Sequence, residues 1–145
     1  MNNIISNNGW KFCFNKAATA LYYENYTDLC QCASCRNFYK NTKYISADIR
    51  NFIEQFGADV AKPIEQESII ANKEQRIVEN TLYYAVNGIA KSLNNSDIQI
   101  ERSSIRIIPK EASPNTDISE PYFVFAIYNI WLPWTVDDSM DESYD

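Results

Sequence analysis

The residues best suited to chemistry lie in one short stretch, Asp28-Leu29-Cys30-Gln31-Cys32-Ala33-Ser34-Cys35-Arg36-Asn37-Phe38-Tyr39, which holds three of the four cysteines. The fourth, Cys13, stands apart. The C-x-x-C spacing of Cys32 and Cys35 suits a turn that aims two sulfurs at one point, and Cys30 can add a third. A closed zinc site needs four ligands in a tetrahedron, so Cys30, Cys32, Cys35 and Cys13 form the candidate metal set, with Glu24, Asp28 or water as other choices for the fourth position. Zinc is the one cofactor this pattern suggests. Thiol redox work by Cys32 and Cys35, with Arg36 lowering a thiol pKa, is a second use, although the βαβ setting usual for such a motif is missing. A third reading keeps all four thiols reduced, behaving as small apolar side chains. The spacing fits none of the common iron–sulfur runs.

The remainder of the sequence narrows the chemistry further. It contains no histidine. That removes Ser-His and Cys-His nucleophile systems and every imidazole ligand. Only three glycines are present, and no Walker A, G-x-G-x-x-G or G-x-S-x-G pattern occurs. Glu65, Glu67, Glu74 and Glu79 read as solvated charge, since nothing places them in a cleft. No catalytic residue is assigned, and enzymatic activity is not expected.

Charge is unevenly spread. The net charge is −6, yet Asp137, Asp138, Asp141, Glu142 and Asp145 supply five of the nineteen acidic groups, so residues 1–136 are nearly neutral. Neither nucleic acid nor an anionic membrane is an expected partner, because phosphate affinity needs clustered Lys and Arg. No secretory leader is read at the N-terminus, and the longest apolar run, 122–127, is far too short to cross a bilayer. A cytoplasmic protein is expected, with one domain over 1–136 and a flexible acidic tail over 137–145.

Periodicity then predicts the elements that must position the cysteines. Trp10-Lys11-Phe12-Cys13-Phe14 alternates, placing Trp10, Phe12 and Phe14 on one face of a strand and Cys13 on the other. Residues 15–26 show no clear period and read as irregular with one helical turn. The cysteine array reads as a loop entering a short helix over 36–42. Ser46 is an N-cap, and Ile49, Phe52, Ile53 and Phe56 form the apolar stripe of the main helix, closed by Gly57. A polar connection follows to about Arg76. Asn87-Gly88, between 81–86 and 89–93, predicts a hairpin, with a bulge in one long strand as the alternative. The Ile98/Ile100 and Ile105/Ile107 sets are out of phase and require a turn or bulge at Ser103-Ser104. Residues 122–132, apolar on both faces, predict a central strand. The fold class is α+β, an antiparallel sheet of four or five strands with one main helix packed on it.

Three pieces of the chain together resemble an uncharacterised family of small bacterial intracellular proteins. They are W-x-F-x-F at Trp10, Phe12 and Phe14; C-x-C-x-x-C followed by N-F-Y at Cys30, Cys32, Cys35, Asn37, Phe38 and Tyr39; and L-P-W followed by acids and Met at Leu132, Pro133, Trp134, Asp137, Asp138 and Met140. The resemblance implies a single intracellular domain and transfers no activity. The expected function is non-enzymatic protein interaction of an immunity-like or inhibitor-like kind, with the acidic end and aromatic surface engaging a protein partner. A small zinc-stabilised domain is the alternative, and a thiol redox protein the third.

Overall fold

The computed structural model describes residues 2–141. Seven strands form one antiparallel sheet: β1 (Asn3–Asn7), β2 (Trp10–Phe14), β3 (Glu65–Asn72), β4 (Ile77–Ser92), β5 (Ile98–Ile100), β6 (Ser103–Ile108) and β7 (Tyr122–Pro133). Three α-helices, α1 (Lys16–Asn25), α2 (Ala33–Asn41) and α3 (Ala47–Glu54), complete the α+β architecture. The spatial order is β1-β2-β4-β7-β6-β5, with β3 also paired to β4. The sheet is therefore larger than the four or five strands read from the sequence.

One long strand accounts for much of the difference. β4 pairs along one edge with β7, and along the other with β3 over 77–83 and with β2 over 88–92. The hairpin expected at Asn87-Gly88 does not form, because these residues lie inside β4, where Gly88 faces Phe14 and Asn87 faces Tyr122. A Cβ on Gly88 would stand 2.5 Å from the Cys13 carbonyl oxygen and 2.6 Å from Phe14 Cβ. The glycine serves close backbone approach, not a turn. The polar segment read as a connection contains β3. Its inward residues Gln66 and Ser68 are themselves polar, so the strand carries little hydrophobic alternation.

Between the ends of β3 and β2 the edge of β4 has no neighbouring strand, and α1 occupies the gap. The Tyr23 hydroxyl donates to the Ala85 carbonyl and accepts from the Ala85 N–H, both at 2.9 Å. The Asn87 N–H donates to Thr19 Oγ1 at 3.1 Å. Only Thr19 and Tyr23 of α1 are buried. So narrow a contact stripe explains why the helix shows no apolar period.

The other predicted elements fall close to expectation. Trp10, Phe12 and Phe14 face inward from β2. Ser46 caps α3 by accepting from the Ile49 N–H, and Ile49, Phe52, Ile53 and Phe56 are buried. Phe56 meets Phe12 and Phe14 edge-on at ring distances of 5.2 and 5.0 Å, while Phe52 meets Phe125 at 5.3 Å. Gly57 has φ +93°, and a Cβ there would lie 2.5 Å from the Lys16 carbonyl. It ends α3 and admits the start of α1. β7 is central, between β4 and β6. The break between β5 and β6 falls at Glu101-Arg102, with Glu101 at φ 55°, two residues ahead of the predicted position.

Replacing Gly88 by Ala is expected to destabilise the protein by about 1–3 kcal/mol in urea or thermal unfolding, the cost of forcing atoms into a filled interior. An unchanged midpoint would show that β2 does not approach β4 this closely.

Candidate metal centre

The helix that carries the cysteines begins earlier than the sequence indicated. α2 starts at Ala33, so Cys32 occupies the N-cap position in extended backbone and Cys35 lies within the first turn. A spacing of three brings their side chains to one side of the helix start. Cys30 comes back toward the same point because its loop is latched onto α2. Tyr39 donates its hydroxyl to the Cys30 carbonyl at 3.0 Å, and Arg36 Nε donates to the Gln31 carbonyl at 2.9 Å.

The sulfurs of Cys30, Cys32 and Cys35 consequently lie within 4.8 Å of one another. Their surroundings are graded: Cys30 is exposed, Cys32 half-buried and Cys35 buried. Among the described residues no further Cys, Asp or Glu joins this group. Cys13, the expected fourth ligand, is elsewhere, because β2 places it in register with Ile4 and Ile89. Glu24 and Asp28, the other candidates, also lie outside the group.

Cys35 is held from below by a polar network that sequence reading missed. Gln66 Nε2 donates to Ser34 Oγ at 2.9 Å and to Cys35 Sγ at 3.5 Å. Its Oε1 accepts from Ser68 Oγ and Asn80 Nδ2. All of these residues are buried. The polar inward positions of β3, Gln66 and Ser68, were the available signal, since polar side chains facing a core need partners there.

The two thiols of the C-x-x-C pair have opposite tendencies. Burial raises the Cys32 thiol, but the Cys35 backbone N–H and the Ser34 hydroxyl outweigh it, and the net pKa is lowered. Burial pushes the Cys35 thiol up to about 12, against a smaller lowering by Gln66. Arg36 is committed otherwise than expected. Its guanidinium forms a two-bond ion pair with Asp138 at 3.0 and 2.9 Å.

That pair belongs to a wider junction in which the N-F-Y and L-P-W motifs meet. Asn37 donates to the Pro133 carbonyl and accepts from the Thr135 N–H, at 3.0 and 2.8 Å. Asn41 donates to Thr135 Oγ1, Lys40 to the Thr135 carbonyl, and Trp134 Nε1 to the Asp138 carbonyl. Trp134 and Met140 are buried. Within the expected flexible tail, Asp138 and Met140 thus make contacts inside the fold, and residues 142–145 lie outside the described residues.

Chemically, three soft donors converge here with one coordination position left open. In a tetrahedral zinc site with bonds near 2.3 Å the sulfurs would be about 3.8 Å apart, so a contraction of at most about 1 Å is needed. Cys30 is the exposed member of the three. The residues fit a three-thiolate site completed by water or an outside ligand, and they do not form an all-cysteine tetrahedron. No family model, no curated protein and no solved structure matches the chain. Among the described residues, no helix is long and apolar enough to cross a membrane.

In chelator-treated protein, iodoacetamide should modify Cys32 well before Cys35, because only the thiolate attacks and Cys32 deprotonates at lower pH. The rate–pH curve of Cys32 should lie on the acidic side of an ordinary thiol, with Cys35 unreactive through pH 9. Peptide mapping over time checks the order, and faster labelling of Cys35 would contradict the geometry.

Proposed function

We propose that this is a non-catalytic binding domain whose cysteine loop is a structural thiolate metal site, with Zn²⁺ the ion best suited to it. The observation that carries this reading is the convergence of three sulfurs within 4.8 Å at the start of α2. Soft thiolate donors favour zinc or copper(I) over hard cations. Bound there, the ion would supply a crosslink between the loop and the helix, with Cys30, Cys32 and Cys35 as its ligands. Cys35 is already fixed to the sheet through Gln66, so the crosslink would extend from the loop to β3. Metal binding displaces thiol protons, so affinity should rise with pH.

Native mass spectrometry after zinc reconstitution should find one ion per chain. Cys30→Ser, Cys32→Ser and Cys35→Ser should each lower retention at least tenfold, while Cys13→Ser should leave it unchanged. An apo mass for wild-type protein after reconstitution would reject the site.

Protein recognition is the second reading, supported by the outward face of β3, β4 and β7. Trp131 and Ile69 are 54 and 49% exposed there, beside Glu65, Glu67 and Glu79. Exposed aromatic and aliphatic side chains rimmed by acids suit a partner surface with complementary basic residues. Asp138 and Met140 contribute to the fold instead. Trp131→Ala should weaken partner capture at least tenfold in pull-downs from the source cell while leaving the melting temperature nearly unchanged. Undiminished capture would remove this face from consideration.

A further inference from the structure

A cleft lies apart from the three cysteines, between α1 and the segment that precedes β7. Helix α1 forms one wall, the 115–119 segment the opposite wall, and the chain leading from α1 toward Cys30 one end. The cleft measures about 700 Å³, within the range of about 300–1,000 Å³ typical of small-molecule sites. Its walls are tied together. Tyr22 and Thr116 share a hydroxyl–hydroxyl hydrogen bond of 3.0 Å, and Ile118 is buried against Ala85 and Val124. Asn87 secures the base of the segment by donating to the Ser119 and Pro121 carbonyls.

The lining has a definite chemical character. Tyr22 and Tyr26 stack with ring centroids 5.8 Å apart and planes 28° from parallel. Asp28 and Asp117, both exposed, are among the residues that line the cleft, and no Lys or Arg lines it. Among the described residues, neither carboxylate forms an ion pair. An anion would meet two like charges, and a neutral apolar ligand would leave both carboxylates uncompensated. A cation gains from both carboxylates and from the negative faces of the tyrosine rings.

We propose that this cleft binds an organic cation with a flat or aliphatic body, of which a guanidinium group is the best match. Its plane can lie along a tyrosine ring while its N–H groups reach a carboxylate. The inference is independent of the metal site and survives if that site proves empty. The same guanidinium chemistry is available from a free small molecule or from an arginine side chain of a polypeptide, and the experiment separates the two.

Chelator-treated full-length protein is titrated with N-acetyl-arginine amide, with a blocked pentapeptide carrying one central arginine, and with the neutral isostere N-acetyl-citrulline amide. Binding is followed by calorimetry and by backbone amide NMR shifts. At least one guanidinium probe should saturate with Kd at or below about 1 mM, an affinity of about 4 kcal/mol, and shift amides of residues 18–28 and 115–119. The citrulline compound should bind at least tenfold more weakly. Preference for the amino-acid amide identifies a free ligand, and preference for the peptide a polypeptide side chain; both support the cation site. Asp117→Asn, and the double variant with Asp28→Asn, should lose affinity by about threefold and tenfold at unchanged melting temperature. Should these variants fold poorly, wild-type affinity must still fall when salt is raised from 20 to 200 mM. Equal binding of citrulline, salt-independent affinity, or no saturation by either guanidinium probe below about 10 mM would overturn the proposal.

Discussion

A single constraint organises this domain: the backbone groups of β4 must all find partners, although two different strands share one of its edges. β3 ends its pairing at Tyr83 and β2 begins at Gly88. A buried peptide group left without a partner costs about 1–3 kcal/mol. The Tyr23 hydroxyl, acting as donor and acceptor to the same residue, closes that gap. Burial drives the Tyr23 pKa far upward, so the hydroxyl keeps its proton and its dual role. Because α1 is fixed at this point, the chain that leaves it toward the cysteines has a defined origin.

The same economy shapes the cysteine region. α2 is only nine residues long, so little of its stability comes from within. It is held by Asn37, Lys40 and Asn41 against residues 133–135, and by Arg36 against Asp138. Two sequence motifs separated by nearly a hundred residues are therefore one structural unit. W-x-F-x-F contributes differently, supplying the aromatic rings that meet Phe56 beneath α3.

Much of this was legible in the sequence where residues reported burial through periodicity. α3 and the inward face of β2 followed from their apolar spacing, and β7 from its unbroken apolar run. What escaped notice was stabilised by polar contacts. β3 turns Gln66 and Ser68 inward, α1 seats itself through two hydroxyls, and Asn87-Gly88 sits in a strand because β2 needs a residue without a side chain to pass. Local turn preference lost to tertiary contact at that position. The cysteine array was visible as a cluster, and the structure brings three of its members together. Cys13 was joined to them only by the count of thiols. Strand pairing fixed its position independently of that count.

The Gln66 amide is locked in orientation, since its oxygen receives hydrogens from both Ser68 and Asn80 and its nitrogen must then face α2. Cys35 therefore always presents a lone pair inward, to an N–H. Its own hydrogen is left to turn away from that N–H, on the side where Cys30, Cys32 and the Tyr39 hydroxyl lie. The most deeply set thiol of the loop is thus anchored from the interior as an acceptor, and its place among the three sulfurs is set by β3.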